Sequence, residues 1–515
     1  MSIESLPRET APSALTEDQA SFARTVGLTG LMAVSLGVLI LILNAAQARL
    51  PFDLGNNVGF AGILVGMAMM FFHATRDTDQ LMRRLYGYVG CIGLPLSGVI
   101  LSLLPVLISA AKSPPEEGPK PIVSLFFPFG WACFLAGLFF LIPFCRNESD
   151  ETHRRYGLWA LGGIGAGLAL VGLVGGLTME GFALTYGSVL ALLGLGYLCA
   201  FIGQLGGADL DGYRPAVLLG IVGGLVFVAA LIRSVVPGGR SFFIPSGLMV
   251  MGLGATYAVV SLFLVSDWRL LVLTRRELTA YFYSPVAYLV LLVIALIAWF
   301  DYLIFWLQTP PQVNVVYPEP IVERLLGGFW TIIPVLFVVP ALTMRLISEE
   351  KRTGTYEVLV SAPVSETPIV VSKLLASLAF YMLTWAVWGA ILIALRLDNG
   401  GRVFEYRPLL SFYLAVAVSG AAFLAMGIFF SALTRNQIIA AVLTFVGMLA
   451  LIFVFFASNF AGPEWRPLLS HLTFLDLWWD ALEGRLHLRD VIIQLSLAVF
   501  WSFLAVKVLE ARRWS

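Results

Sequence analysis

Long apolar runs follow one another along almost the whole of this 515-residue chain. Each run is close to the ~20 residues that a helix needs to cross a bilayer, and short polar stretches separate them. We therefore predict an all-α polytopic membrane protein with about 14 transmembrane helices. The predicted spans lie near residues 25–45, 58–73, 86–110, 124–144, 156–177, 181–203, 215–235, 243–265, 285–306, 329–346, 368–395, 409–433, 438–458 and 491–509.

The composition agrees with this fold class and excludes several functions. Apolar residues make up 59% of the chain and charged residues 12%, against ~45–50% apolar residues in soluble domains. The net charge of zero leaves no basic surface for nucleic acid. The four cysteines stand in or beside apolar runs without a CxxC spacing, so neither a disulfide framework nor a metal site is predicted. A P-loop pattern is absent, so we expect no cofactor and no ATPase site in this chain.

The charge distribution predicts the orientation. Residues 1–23 are polar and acidic and lack the basic region and short apolar core of a secretory signal, so we interpret them as a disordered cytoplasmic tail. With that tail inside, most of the lysines and arginines fall in the inner segments. Both termini are therefore predicted to be cytoplasmic.

Glycine content divides the chain near Val265, because most glycines precede it. Pairs such as Gly62/Gly66 and Gly220/Gly224 have the four-residue spacing that lets helices in lipid approach closely. We predict a Gly-rich membrane module of eight helices over residues 24–265, whose role the sequence does not indicate, and a six-span module over residues 266–515.

The second module begins with an interfacial elbow helix, predicted over residues 266–284. Its leucines can enter lipid while its charged residues stay in water, as in helices that lie in a membrane surface. The charged positions of this elbow are Arg269, Arg275, Arg276 and Glu277.

A polar island over residues 347–367 separates two of the predicted spans and is too short to be a domain. Gly354 is expected to end one element, and Thr355 to cap a small apolar helix that stops before Pro363. Thr367 and Pro368 then form a helix start, with proline at the first helical position. Two interpretations remain open: an ordinary interfacial turn, or a docking helix on which a cytoplasmic partner pushes.

The stretch MRLISEEKRTGTYEVLVSAPVSETPIVVSK resembles the inner loop of ABC-2 type transporter permeases. RRELTAYFYSPV resembles the entry segment of that family, and DVIIQLSLAVFWSFLAVKVLEARRW resembles its last helix and basic tail. The resemblance covers roughly residues 266–515 and is nearest to the gliding-motility and nitrous-oxide-accessory branch.

The resemblance implies a permease subunit of an ABC transporter, an exporter in the bacterial cytoplasmic membrane. It implies two partners besides the lipid membrane: a separate ATP-binding subunit, docked on residues 347–367, and a second permease chain. The implied ATPase-coupling residues are Glu349, Glu350, Lys351, Arg352, Thr353, Gly354, Thr355, Tyr356 and Glu357.

Two features bear on alternatives and on the outer side. An ion-coupled transporter needs ionisable groups in mid-membrane, but the deepest one here, Asp301, is in the outer half of its span. It is a possible pathway residue, or it is solvated or hydrogen-bonded to a neighbouring helix. The alternatives to the permease are an ion-coupled secondary transporter and a non-transporting scaffold of a motility or assembly complex. On the outer side, Phe474, Leu477, Trp478 and Leu482 predict the apolar face of a short helix.

Overall fold

The computed structural model describes residues 17–47, 54–76, 82, 87–96, 98–100, 137–138, 140–142, 144–145, 151–179, 181–184, 186–205, 210–235, 242, 246–308, 321–355, 365–398, 407–462, 464–466, 469 and 473–513. Regular structure in these residues is entirely helical, which confirms the predicted all-α class. Eleven helices within these residues are long and apolar enough to cross a membrane. The chain is thus a multi-pass membrane protein.

The first part of the chain contains α1 (Glu17–Gln47), α2 (Leu54–Arg76), α3 (Glu151–Thr178), α4 (Tyr186–Gln204), α5 (Leu210–Val235) and α6 (Leu248–Val265). A π-helical turn covers Val89–Gly93 and a 3-10 turn covers Phe182–Leu184.

The second part contains α7 (Arg269–Tyr283), α8 (Pro285–Gln308), α9 (Ile321–Leu326), α10 (Phe329–Thr343), α11 (Ser348–Thr353), α12 (Glu366–Asp398), α13 (Arg407–Leu433), α14 (Gln437–Phe460), α15 (Phe474–Leu482) and α16 (Leu488–Arg513).

Eleven of the predicted spans coincide with these candidate membrane helices. The predicted span 58–73 lies within α2, whose apolar part is shorter, and the span 86–110 is described only in part. The span 124–144 lies mostly outside the described residues. The total of about 14 therefore stays a prediction.

The chain divides into two compact units, one of residues 1–170 and 190–215 and the other of residues 171–189 and 216–515. In the first unit, α1 and α2 form a hairpin with backbones in close approach. A Cβ atom at Gly66 would lie 2.5 Å from the carbonyl oxygen of Gly30, and one at Gly37 would lie 2.6 Å from that of Gly59. Glycine is thus required at these crossings.

In the second unit, close packing of α5 and α6 also depends on glycine. A Cβ atom at Gly223 would lie 2.6 Å from the carbonyl oxygen of Gly254. Only one residue of the predicted small-residue pair Gly220/Gly224 takes part in this close packing. Gly220 faces Ser261, whereas a Cβ atom at Gly224 would meet open space. The division of the chain into modules at Val265 stays a prediction.

The centre of the second unit is α13, whose side chains are mostly buried. It packs against α12, α14, α15 and α16. An aromatic cluster fills the space beside it, with Trp385 between Trp388, Phe412 and Trp478 at ring-centroid distances of 5.2–5.6 Å. Ring contacts of this kind stabilise beyond the apolar area that they bury.

The predicted short helix is confirmed as α15, and its predicted apolar residues Phe474, Leu477, Trp478 and Leu482 are all buried. Its position on the outer side stays a prediction. Two boundaries differ from the sequence predictions. Helix α10 ends at Thr343, and a turn over residues 344–347 precedes α11. Helix α12 begins at Glu366, so Thr367 is inside the helix and is not its cap.

Candidate functional site

Helix α11 carries the first half of the predicted coupling residues. Gly354 follows it with φ of 75°, a left-handed conformation that glycine adopts without steric cost. The prediction that Gly354 ends an element is therefore confirmed. Tyr356, Glu357 and the predicted apolar helix up to Val360 lie outside the described residues.

The start of α11 is attached to the end of α13. The Ser431 hydroxyl oxygen accepts hydrogen bonds from the backbone N–H groups of Ile347 at 3.2 Å and Ser348 at 3.1 Å. The buried Lys351 ammonium donates to the carbonyl oxygen of Ala432, in the last turn of α13. That turn exposes unpaired carbonyl groups with partial negative charge, which a cation neutralises.

The other face of α11 is attached to α12 and α7 through a buried ion network. Lys373 is 1% exposed, and its ammonium lies 2.7 Å from a carboxylate oxygen of Glu350 and 3.1 Å from one of Glu277. The guanidinium of Arg276 lies 2.7 Å from Glu277 and 3.9 Å from Glu350. Three helices thus meet in one cluster of two carboxylates and two cations.

Glu277 is ionised in this network. Its burial opposes ionisation, but the ammonium of Lys373 and the guanidinium of Arg276 outweigh that effect and lower the pKa of the carboxyl below its ordinary value. A charged Glu277 therefore links α7 to α12 at neutral pH.

The structure divides the described part of the predicted coupling surface into two faces. Glu350 and Lys351 point into the protein and hold α11 in place. Arg352, Thr353, Gly354 and Thr355 are exposed. Glu349 is half-buried and lies 3.8 Å from the Arg352 guanidinium. Of these described residues, a partner could therefore reach the end of α11 and the turn after it.

The predicted elbow is helix α7. Arg269 is exposed on its first turn, and Arg275 donates to the Ser266 carbonyl oxygen at 3.0 Å, across the start of the helix. Tyr281 attaches the far end: its hydroxyl donates to the Leu342 carbonyl oxygen at 2.9 Å, and its ring stacks on Phe380 at 5.2 Å. The elbow is therefore fixed to α10 and α12.

Asp301 is buried on α8, and one of its carboxylate oxygens accepts a hydrogen bond from the Trp388 indole at 3.2 Å. The structure therefore shows one of the roles considered for Asp301, the hydrogen bond to a neighbouring helix. A role in a pathway stays a prediction.

A cavity of about 230 Å³ opens beside the ion network. Its lining comes from α7, α8, α10, α11, α12 and the turns between them, and includes Arg345 and Lys373. No group of three or more histidine, cysteine, aspartate or glutamate side chains is placed to hold a metal ion in the part of the chain that the structure describes.

The sequence analysis did not identify the residues of α12 and α13 that hold α11, namely Lys373 and Ser431. Lys373 carried a signal, since it is a lone cation in the apolar start of α12. Ser431 carried none, because serine in a membrane helix usually satisfies its hydroxyl within its own helix, and the contact with α11 joins residues more than eighty positions apart.

These features define a class: a multi-pass helical membrane protein in which an amphipathic elbow and a short polar segment are fixed to the ends of buried spans. Residues 311–473, about a third of the chain, match the family described as ABC-2 family transporter protein. This match supports an ABC-2 permease, the membrane component of a transporter. No curated protein and no solved structure shows significant similarity to the chain.

Proposed function

We propose that this protein is the permease subunit of an ABC exporter in a bacterial cytoplasmic membrane. A separate ATP-binding subunit would dock on residues 347–367, and a second permease chain would complete the transporter. The observation that carries the proposal is the attachment of α11 to two buried helices, α12 and α13, within the stretch that matches the transporter family. The export direction follows the resemblance of the coupling loop.

The contacts of α11 give a route for force. Its inward face is held by Ser431 and Ala432 on α13 and by Lys373 on α12, while its outer end is exposed. Movement of a partner bound at the exposed end would therefore displace α12 and α13 together. A loop that only joined two spans would need none of these buried polar contacts.

The mechanism is a population shift between two arrangements of the spanning helices. ATP-driven closure of the partner subunits would favour one arrangement through its differential contacts with the loop. The cytoplasmic position of the loop and of both termini follows from the distribution of lysines and arginines.

The test is a proline placed in the predicted docking helix. Leu359→Pro should disrupt that helix by about 3 kcal/mol or more, so an ATP-binding chain should no longer co-purify or be stimulated. Glu357→Lys, which opposes the dipole of the same helix by about 0.3–1 kcal/mol, should weaken the readout without abolishing it. Co-purification in mild detergent and ATP turnover are measured at matched amounts of inserted protein.

Leu359→Ala is the matched control, because alanine removes the side chain and preserves the helix. It should keep more of the partner than Leu359→Pro does. Normal binding and turnover in Leu359→Pro would show that the stretch is only a turn. If no P-loop chain co-purifies even with the unmodified protein, the alternatives of a secondary transporter or a scaffold are favoured.

A further inference from the structure

The cavity beside the ion network lies where α7 ends and the membrane span of α8 begins. Glu277 and Tyr281 of α7 form one wall, and Val286 and Val290 of α8 form another. The amphipathic α7 exposes Trp268 and Val272 near its start, as helices at a membrane surface do. With α7 in a membrane surface, as its amphipathic sequence predicts, the cavity lies at the boundary between lipid and water.

The lining has two chemically different parts. Charged groups line one part: Glu277, Glu349, Glu350, Lys373 and Arg345. Apolar groups line the other: Val286, Ala287, Val290, Ala341, Leu342 and Leu346. A molecule that fits both parts has a charged head and a hydrocarbon chain.

The charges of the cavity are already balanced, with one exception. Glu277 and Glu350 share Lys373 and Arg276, and Glu349 lies 3.8 Å from Arg352. Each carboxylate of the lining therefore has a cation.

The exception is Arg345. Among the described residues it has no carboxylate within ion-pair distance, and its side chain donates only to the Ser284 hydroxyl at 3.3 Å. Its Nε is buried without a partner. This nitrogen has lost water without gaining an acceptor, which is unfavourable, while the rest of the half-buried guanidinium faces the cavity. Arginine is also the side chain best suited to two parallel hydrogen bonds with a phosphate.

We propose that this cavity binds a phosphate-bearing amphiphile, with the phosphate on Arg345 and the first part of an acyl chain against Val286, Ala287 and Val290. The volume of about 230 Å³ suits a phosphate ester and the start of one chain. The remainder of such a molecule would stay in the surrounding bilayer. An occupied cavity would connect α7, α8 and α10 next to the segment on which the ATP-binding subunit is proposed to act.

The experiment measures binding to the full chain in an uncharged detergent by the shift of the thermal unfolding midpoint. Three probes are compared: dihexanoylphosphatidylglycerol, dihexanoylglycerol, which lacks the phosphate, and inorganic phosphate, which lacks the chains. We expect a saturable increase of the midpoint with the phospholipid. We expect no increase with dihexanoylglycerol or with inorganic phosphate. An equal, Arg345-dependent increase with inorganic phosphate would overturn the proposal that the ligand is an amphiphile. It would indicate that the cavity binds a soluble phosphate compound.

Variants connect that binding to the cavity. Arg345→Gln should weaken the affinity for the phospholipid at least tenfold, and Arg345→Lys should weaken it less. Arg485→Gln, which removes an exposed cation paired with Glu483 at 2.7 Å outside the cavity, should leave the affinity unchanged. Val286→Phe, which fills the apolar part of the cavity, should also weaken binding. It provides the test if Arg345→Gln fails to fold. Equal affinity in the unmodified protein, Arg345→Gln and Val286→Phe would overturn the proposal.

Discussion

Replacing Lys373 by methionine should destabilise the protein by about 3 kcal/mol, at the lower end of the range for breaking a buried ion pair. Lys373 is 1% exposed and serves two carboxylates, Glu350 at 2.7 Å and Glu277 at 3.1 Å. Without it, the cation left to both carboxylates among the described residues is the partly exposed Arg276, which lies 3.9 Å from Glu350. Arg276 still compensates in part through its 2.7 Å contact with Glu277, which is why we expect the lower end.

The measurement is the free energy of unfolding in mixed micelles, followed by tryptophan fluorescence. A double-mutant cycle with Glu277→Gln isolates the interaction between the two side chains, and we expect a coupling energy of about 1–3 kcal/mol. Lys507→Met is the matched control. Lys507 lies 2.7 Å from Glu510 in an exposed i,i+3 pair, whose loss should cost under about 1 kcal/mol.

Two results would refute this reasoning. The first is a Lys373→Met variant that unfolds within about 1 kcal/mol of the unmodified protein, as Lys507→Met should. The second is a cycle in which the effects of Lys373→Met and Glu277→Gln simply add. Either would mean that water reaches the network and screens its charges.

Two further measurements test the charge of Glu277 and the topology. Because the folded-state pKa of Glu277 is lowered, its stabilisation is complete above pH 4.5 and is lost as the pH falls through the folded-state pKa, so Glu277→Gln should flatten the acid limb of the stability profile. In a cysteine-free background, a cysteine at Thr353 should react with an impermeant thiol reagent only after the membrane is opened, whereas cysteines at Ser113 and Asn314 should react from outside. Labelling of Thr353 from outside would contradict the cytoplasmic loop.

The helices were predictable because the bilayer imposes a length and a composition on every span. The elbow was predictable for a related reason: its leucines and arginines alternate at helical spacing, and α7 begins and ends within a few residues of the predicted bounds. Helix α15 followed from the same periodicity, with Phe474, Leu477, Trp478 and Leu482 on its buried face.

The partners of the charged residues were not predictable. Glu350 and Lys351 are adjacent in the sequence, and the pattern indicated one surface for both, yet they face α12 and α13 respectively. Their partners depend on how helices far apart in the sequence pack together. A hydropathy pattern indicates whether a residue is buried but not which neighbour it contacts. Glu277 and Lys373, for example, are separated by 96 positions in the sequence.

The position of α13 explains why the contact with α11 matters for the rest of the second unit. Near its start, the Ser411 hydroxyl donates to the Ala481 carbonyl oxygen at the end of α15. Near its other end, Ser431 and Ala432 hold α11. The two serines are separated by twenty positions, which correspond to roughly 30 Å of helix, the thickness of the hydrocarbon core. Because α13 is continuous and mostly buried, a local bend would disturb the neighbours packed around it. A displacement of α11 that moves α13 along its axis would therefore also move α15, at the opposite end of that helix.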